Sequence, residues 1–461
     1  MAKYDVAVLG AGMGGLVAAA LLSKLGKKVI LIERGKDISG RANDFPYKDG
    51  FRLELGGHLI VDEGTGLFKI CDYIGKPITM GPANDSLPYW TKGKWYHMQE
   101  LYDVKKDDLR RIIKEIVNMG FDEIDKLDGV PIRTWVKERT DSEGILALYE
   151  TLAGLEFQTM DWWDHSASEF LWMRKVAYQT RNMAAFSYWP EGGPHKVATD
   201  LVNATEENGG KILTNTIVSR IVIENGRVRG VNVHGPRLTP DEYPVRELIE
   251  ADNVLCTIPV WALENIVSED DFPQSYMAYM RYLSHPMFRA SWIGFYAALD
   301  APIFAKSQYE IAAWDRGPYT NQTGYSYLQS AMAPEFAPPG KHLFICDEYA
   351  HNPMDLYNEK WLEDMFGRLD QNIDLLFPDL KKHCMWKSRH VVDNCMVYHK
   401  PYLVGAYRLA NKCPFVEGLY WGGDTAQGRG CGIDRSARTS LTCTEHILGE
   451  RIPEFKDAPH L

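Results

Sequence analysis

No CxxC pair occurs in these 461 residues, and the eight cysteines, at 71, 256, 346, 384, 395, 413, 431 and 443, never fall at zinc-ligand spacing. A disulfide framework and a thiolate metal centre are therefore not expected, and the chain reads as reduced and cytoplasmic. The His and Cys neighbours around His383, Cys384, His390 and His399 lack a second matched pair, so no metal is expected there either. Positive charge is short as well: 51 Lys and Arg against 62 Asp and Glu leave a net charge of −11. That balance argues against a nucleic-acid partner and against a polybasic grip on anionic lipid. Repeats, low-complexity linkers and charged tails are absent. One uncharged run, residues 6–23, approaches the length of a short membrane span. Glycines interrupt it and Asp5 precedes it, so neither a targeting signal nor a transmembrane helix is expected.

What remains is an ordinary globular balance, 25% charged and 45% hydrophobic, with about three domains' worth of length. Aromatic residues reach 12%, enough for apolar pockets with polar tips or simply for a large core.

The glycines of the uncharged run have a specific pattern. Val6-Ala7-Val8-Leu9 suits a strand buried on both faces. Gly10-Ala11-Gly12-Met13-Gly14-Gly15 then satisfies GxGxxG at Gly10, Gly12 and Gly15, and an Ala- and Leu-rich helical stretch follows, closed by Gly26. A second strand, Lys28-Val29-Ile30-Leu31-Ile32, ends at Glu33, 18 residues beyond Gly15. Gly10 permits the tight turn, Gly12 lets backbone approach a pyrophosphate, and Gly15 allows close packing of helix on strand. The helix N-terminus offers N–H groups to phosphate, and Glu33 can accept ribose hydroxyls. Strand, turn, helix and acid in this order predict a dinucleotide site. No second GxGxxG in such a context appears, so a separate nicotinamide site is not expected.

Further blocks extend the pattern. Ser39-Gly40-Arg41 is followed by Phe51-Arg52-Leu53-Glu54-Leu55-Gly56-Gly57-His58. Trp189-Pro190-Glu191-Gly192-Gly193 precedes a helix predicted over 196–207 and two β-branched runs around Asn225-Gly226, which read as a hairpin. Near the C-terminus stand Gly422-Gly423-Asp424 and Gly430-Cys431-Gly432-Ile433-Asp434, then a helix predicted over 435–448. With the glycine loop, these blocks resemble the flavin-dependent amine oxidase and phytoene desaturase superfamily, nearest in pattern to its phytoene desaturase and carotenoid isomerase-like branch. Ser39 stands where that family usually has a glycine.

The resemblance implies noncovalent FAD, held by Gly10, Gly12, Gly14, Gly15, Glu33, Arg34, Gly40, Arg41, Gly56, Gly57, His58, Val218, Gly423, Asp424, Gly432 and Ile433. Arg41 would neutralise a phosphate and the Val218 backbone would hold the adenine. Asp424 would contact the ribityl-phosphate region, and the helix end at Gly432 and Ile433 would face the flavin edge that becomes negative on reduction. It implies an α/β fold: a Rossmann-type FAD-binding domain with a parallel sheet, from 1–70, 189–265 and 405–461. A discontinuous α+β substrate-binding domain would come from 71–188 and 266–404. In the latter, apolar spacing near 3.6 predicts helices over 107–119, 130–138, 144–155 and 358–377. Strands are expected over 291–300, 310–315, 324–329 and 342–349. The aromatic stretch from Trp162 to Trp189 reads equally as pocket wall, membrane-facing entrance or helical core.

FAD would accept hydride, leaving the protein to place a C–H bond and manage a proton. His58 is the titratable residue that the motifs set near the ring, and Cys431 sits in the flavin-edge loop. Many amine oxidases carry a lysine on the strand entering the site. The matching stretch here, 285–300, has none, although Arg289 could take its place. The expected activity is therefore desaturation of a carbon–carbon bond in an apolar small molecule, with cyclic and unsaturated compounds as the candidates. Electrons would pass to a quinone, oxygen or another acceptor. A flavin amine oxidase, or an isomerase without net oxidation, stands as the alternative, and peripheral membrane contact is left open.

Overall fold

A computed structural model describes residues 3–56, 66–81, 88–97, 104–157, 164–179, 189–235, 246–303 and 311–456. Its first sheet begins with strand Tyr4–Leu9, paired in parallel with Val29–Ile32 in the register Val6↔Val29 to Leu9↔Ile32. On the other edge of Tyr4–Leu9 lies the second half of strand Arg246–Cys256, also parallel. Lys211–Leu213 and Leu419–Trp421 add one parallel strand at either side. The apolar residues of Tyr4–Leu9 and Val29–Ile32 are buried on both faces, as parallel strands require.

One face of this sheet is covered by helices Met13–Lys24, Gly193–Glu207 and Gly432–Leu448, which share a core of Leu16, Leu21, Leu201, Ala437 and Leu441. The opposite face packs against an antiparallel meander. Strands Ile217–Glu224 and Arg227–His234 form the hairpin predicted around Asn225-Gly226, whose φ angles of 53° and 73° put both residues in the left-handed turn conformation. The third meander strand is the first half of Arg246–Cys256, so one strand serves two pairing modes.

The second sheet has seven strands in the order Cys384–Val397, Arg289–Leu299, His342–Tyr349, Gly324–Leu328, Ile311–Trp314, Pro88–Thr91 and Lys94–His97. Pairing is antiparallel throughout, except that Ile311–Trp314 runs parallel to Pro88–Thr91. Helix Glu359–Leu376, started by the Asn358 side chain accepting the Trp361 N–H, covers one face. The other face is aromatic and turns toward Phe51, Leu53 and Trp189. Five helices between Lys106 and Gln179 form a separate apolar cluster.

The α/β class follows the sequence. Several elements depart from it. The fourteen-residue strand Cys384–Val397 was not anticipated, nor was the hairpin Pro88–Thr91/Lys94–His97. Helix Gly193–Glu207 starts three residues before the predicted 196, because Pro194 fits a first turn that needs no N–H there. Helix Gly432–Leu448 likewise starts before 435. In the aromatic stretch, Phe170 and Trp172 lie in helix Ala167–Gln179 and are fully buried in helical core. Trp162, Trp163, Phe186 and Tyr188 fall outside the described residues. Among the described residues no helix is long and apolar enough to cross a membrane, and no cluster of His, Cys, Asp or Glu is arranged for a metal.

Candidate functional site

The glycine loop joins the first strand to the first helix. Gly10 has φ +95°, closing the turn. A side-chain carbon on Gly15 would sit 1.9 Å from the Gly10 carbonyl, so helix and strand can approach this closely only without one. Gly14 lies against Ser436 and Ser440 of the last helix. Gly12 differs: the space its side chain would enter holds no protein atom within 4 Å. Glu33 reaches back to this loop. Its two carboxylate oxygens accept the Ala11 and Gly35 N–H groups, each at 2.8 Å. The Glu33 backbone bonds Leu213 and Thr216, which brings the hairpin start, and with it Val218, alongside the acid. Val218 itself is nearly buried and pairs with Val233 at a register shift. Arg34 is exposed beside Glu33. Ser39, at φ +79°, occupies a left-handed position and bonds the Ala11 carbonyl through its N–H. Gly40 follows, close against Gly12.

Arg41 and Asp424 meet. The guanidinium makes two hydrogen bonds to the carboxylate, at 2.5 and 3.1 Å, and a third to the Cys395 carbonyl. Burial alone would weaken Arg41's hold on its proton, but the charge of Asp424 outweighs it and the pKa rises. Gly423, at φ +82°, packs on Thr257, and its carbonyl accepts the Thr439 hydroxyl. Cys431 caps the last helix, so Gly432 and Ile433 form its first turn, and Gly432 too faces space free of protein atoms within 4 Å. The Cys431 thiol is pushed up to about 12 by burial and bonds the Glu156 carbonyl. Fully buried Glu169 anchors the loop, accepting the Gly430 N–H at 2.7 Å and lying 2.6 Å from Arg435.

Gly56 opens onto the aromatic face of the second sheet, where a side-chain carbon at 56 would touch Trp292 at 3.0 Å. Trp292, Tyr296, Tyr325, Tyr327 and Tyr349 line that face. Burial first, then nearby carboxylates, raise Tyr325 and Tyr327 well above the ordinary phenol range. Tyr327 donates to Glu54 at 2.7 Å. On the same face, His390 Nε2 and Asp347 Oδ1 lie 2.5 Å apart. Sequence reasoning missed this pair. Arg289 does not turn onto this wall: it bonds the Ser284 carbonyl and Asn394 and lies over Trp261. Gly57 and His58 lie outside the described residues.

Comparison with known proteins bears on this arrangement. The model of the family described as flavin containing amine oxidoreductase matches residues 13–448. The chain belongs to the flavin-containing amine oxidoreductase family. This is a family of FAD-dependent oxidoreductases, and FAD is its cofactor. Two relatives are all-trans-retinol 13,14-reductase of Homo sapiens, 26% identical over 50% of this chain and 44% of that protein, and a 4,4'-diapophytoene desaturase of Methylomonas sp, 24% identical over 54% and 53%. The chain thus spans about half the length of these curated relatives. A solved oxidoreductase from Methanosarcina mazei shares the fold, with a TM-score of 0.73 and 23% identity over 95% of this chain and 99% of that one. The residues of this family member fit FAD: open space at Gly12 and Gly432, a carboxylate at the end of the second strand, and a cation at Arg41.

Proposed function

We propose that this protein desaturates a carbon–carbon bond of an apolar, cyclic or unsaturated small molecule, using noncovalently bound FAD. Residues 1–70, 189–265 and 405–461 would carry the cofactor, and 71–188 and 266–404 the substrate. The glycine loop and first helix N-terminus receive the pyrophosphate, and Glu33 the ribose hydroxyls. Arg41, steadied by Asp424, offsets phosphate charge. The first turn at Gly432 and Ile433 presents N–H groups to the flavin edge. Bound FAD supplies a hydride acceptor. The wall of Trp292, Tyr296, Tyr325 and Tyr349 orients the substrate and excludes water.

The observation that carries this reading is that wall, opposite Gly56 and without a lysine on strand Arg289–Leu299. The relatives named for reducing retinol and for desaturating diapophytoene support it. Anaerobic mixing of the yellow holoprotein with cyclic ketones and polyenes should bleach the flavin, while amines should not. Air reoxidation of the photoreduced protein should be slow. Fast peroxide formation with an amine, and no bleaching by any ketone or polyene, would replace this reading with an amine oxidase. That second reading draws on Glu54 and Asp347, carboxylates set among aromatic rings in a manner that suits a cation.

A further inference from the structure

Gly294 has two cross-strand neighbours, Asp347 on one side and His390 on the other. A side-chain carbon at 294 would lie 2.1 Å from Asp347 Oδ1, 2.2 Å from the Cys346 carbonyl and 2.7 Å from His390 Nε2. Across the gap left by this glycine the two side chains meet at 2.5 Å. Asp347 is fully buried and His390 is 15% exposed. The Asp347 charge, after burial, raises the neighbouring Tyr325 phenol, and the Tyr296 ring centre lies 4.5 Å from that of the imidazole.

A carboxylate on Nε2 fixes the neutral imidazole as the Nε2–H tautomer and leaves the lone pair on Nδ1. That Nδ1 is buried and has no hydrogen-bond partner among the described residues. The ionisable groups facing the pair are Tyr296 on strand Arg289–Leu299, Tyr325 and Tyr327 on Gly324–Leu328, Tyr349 on His342–Tyr349, Cys395 on Cys384–Val397, and Glu54 beyond Tyr327. Lys387, Arg389 and Glu348 point to the opposite face, toward Phe295, Phe366 and Trp314.

We infer that His390 is the acid–base group of the substrate site, that Asp347 positions it, and that the substrate class is a ketone or enone with a C–H bond next to its carbonyl. This rests on the dehydrogenase reading above. In the step assigned to the pair, the C–H bond beside the carbonyl breaks. Its proton passes to His390 Nδ1, and its electron pair delocalises onto the carbonyl oxygen. The imidazolium formed is held by Asp347. No oxidant enters this step.

The test separates the proton step from any oxidation. Photoreduced holoprotein, kept anaerobic in deuterated buffer, is given cyclohexanone, and deuterium at the carbon next to the carbonyl is read by mass spectrometry. Exchange should exceed buffer. His390→Asn should lose at least tenfold with FAD retained. Asp347→Asn should alter the pH profile of exchange, which a merely structural role would leave in place. Wild-type exchange no faster than buffer, or exchange unchanged in His390→Asn, overturns the proposal. Cyclic ketones that bleach wild type and His390→Asn equally would sink it while leaving the desaturase reading standing. Ketone exchange lost in His390→Asn, combined with bleaching by amines alone, would do the reverse.

Discussion

Arg41 and Asp424 pair across 383 residues of chain, joining the third motif of the N-terminal half to the C-terminal block in one bidentate contact. Asp424 is 6% exposed at its side chain and Arg41 is 38% exposed, so the acid is fixed and the guanidinium presents its outer edge. Removing the acid by Asp424→Ala leaves Arg41 with the Cys395 carbonyl. Loss of a charged hydrogen bond costs about 1.5–3 kcal/mol, so FAD affinity should fall roughly ten- to a hundredfold. Fluorescence titration of deflavinated protein with FAD measures this, and an unchanged Kd would remove Asp424 from the cofactor site.

Two glycines three residues apart should respond in opposite ways. Gly12→Ala meets no protein atom, so the deflavinated protein should keep its stability within about 0.5 kcal/mol while FAD binding weakens. Gly15→Ala collides with the Gly10 carbonyl and should destabilise the deflavinated protein itself, by about 1–3 kcal/mol as an overpacked core site does. Thermal unfolding with and without FAD separates the two. If Gly12→Ala bound FAD normally, the open space at Gly12 would not be the cofactor's.

Glu348 makes the stability of the second sheet fall as pH rises from 4.5 through 7. Burial raises its carboxyl from an ordinary 4.5 to about 7, against the opposing effect of hydrogen bonds from Trp314 and Asn372. The folded chain holds this proton where the unfolded chain has released it. The contribution is therefore complete below pH 4.5 and lost as pH rises through 7. Glu348→Gln needs no proton, and its amide oxygen can still accept. The variant should gain on wild type above pH 7, by on the order of 2–3 kcal/mol, in urea unfolding at pH 5 and 8. Parallel curves at the two pH values would contradict this.

His165 acts at the acid end. It is fully buried with its ring tilted against Phe157, and burial, with the Lys400 charge adding, lowers its pKa from 6.5 to about 3. The unfolded chain binds this proton first, so stability is complete above pH 6.5 and falls as pH drops toward 3. His165→Phe keeps an aromatic ring against Phe157 and cannot titrate. Its unfolding free energy should depend on pH by about one proton less than wild type between pH 4 and 6, as measured by urea midpoints across that range. An identical slope would mean that the imidazole is already charged in the native protein.

The N-terminal strand–turn–helix unit was legible because its signals are local. Gly10, Gly12 and Gly15 lie in one turn, and Glu33 ends the next strand, so strand, helix and acid follow from neighbours in sequence. The Asn225-Gly226 turn is equally local. The Asp347–His390 pair was not legible, since 43 residues separate its members and only strand register brings them together. His390 stood out in the sequence only as a histidine near cysteines. One signal was available. From Trp386 to Val392 the side chains alternate, with Trp386, His390 and Val392 on the aromatic face and Lys387 and Arg389 on the other. That period of two predicts the strand, though not its partner. The early hairpin was signalled too, by aromatic residues flanking Lys92-Gly93, both at positive φ.

The pairing order of the first sheet sets a timetable for synthesis. Tyr4–Leu9 gains its first neighbour at Val29–Ile32, but its other edge waits for residues 251–256, and the sheet closes only with Leu419–Trp421. At about 5–20 residues per second, the ribosome leaves that apolar edge bare for on the order of ten seconds or more. An exposed strand edge invites pairing with another chain. Yield of the native protein should therefore be governed by what shields residues 4–9 during translation, and slower elongation or scarce chaperone should send more of the chain into aggregates.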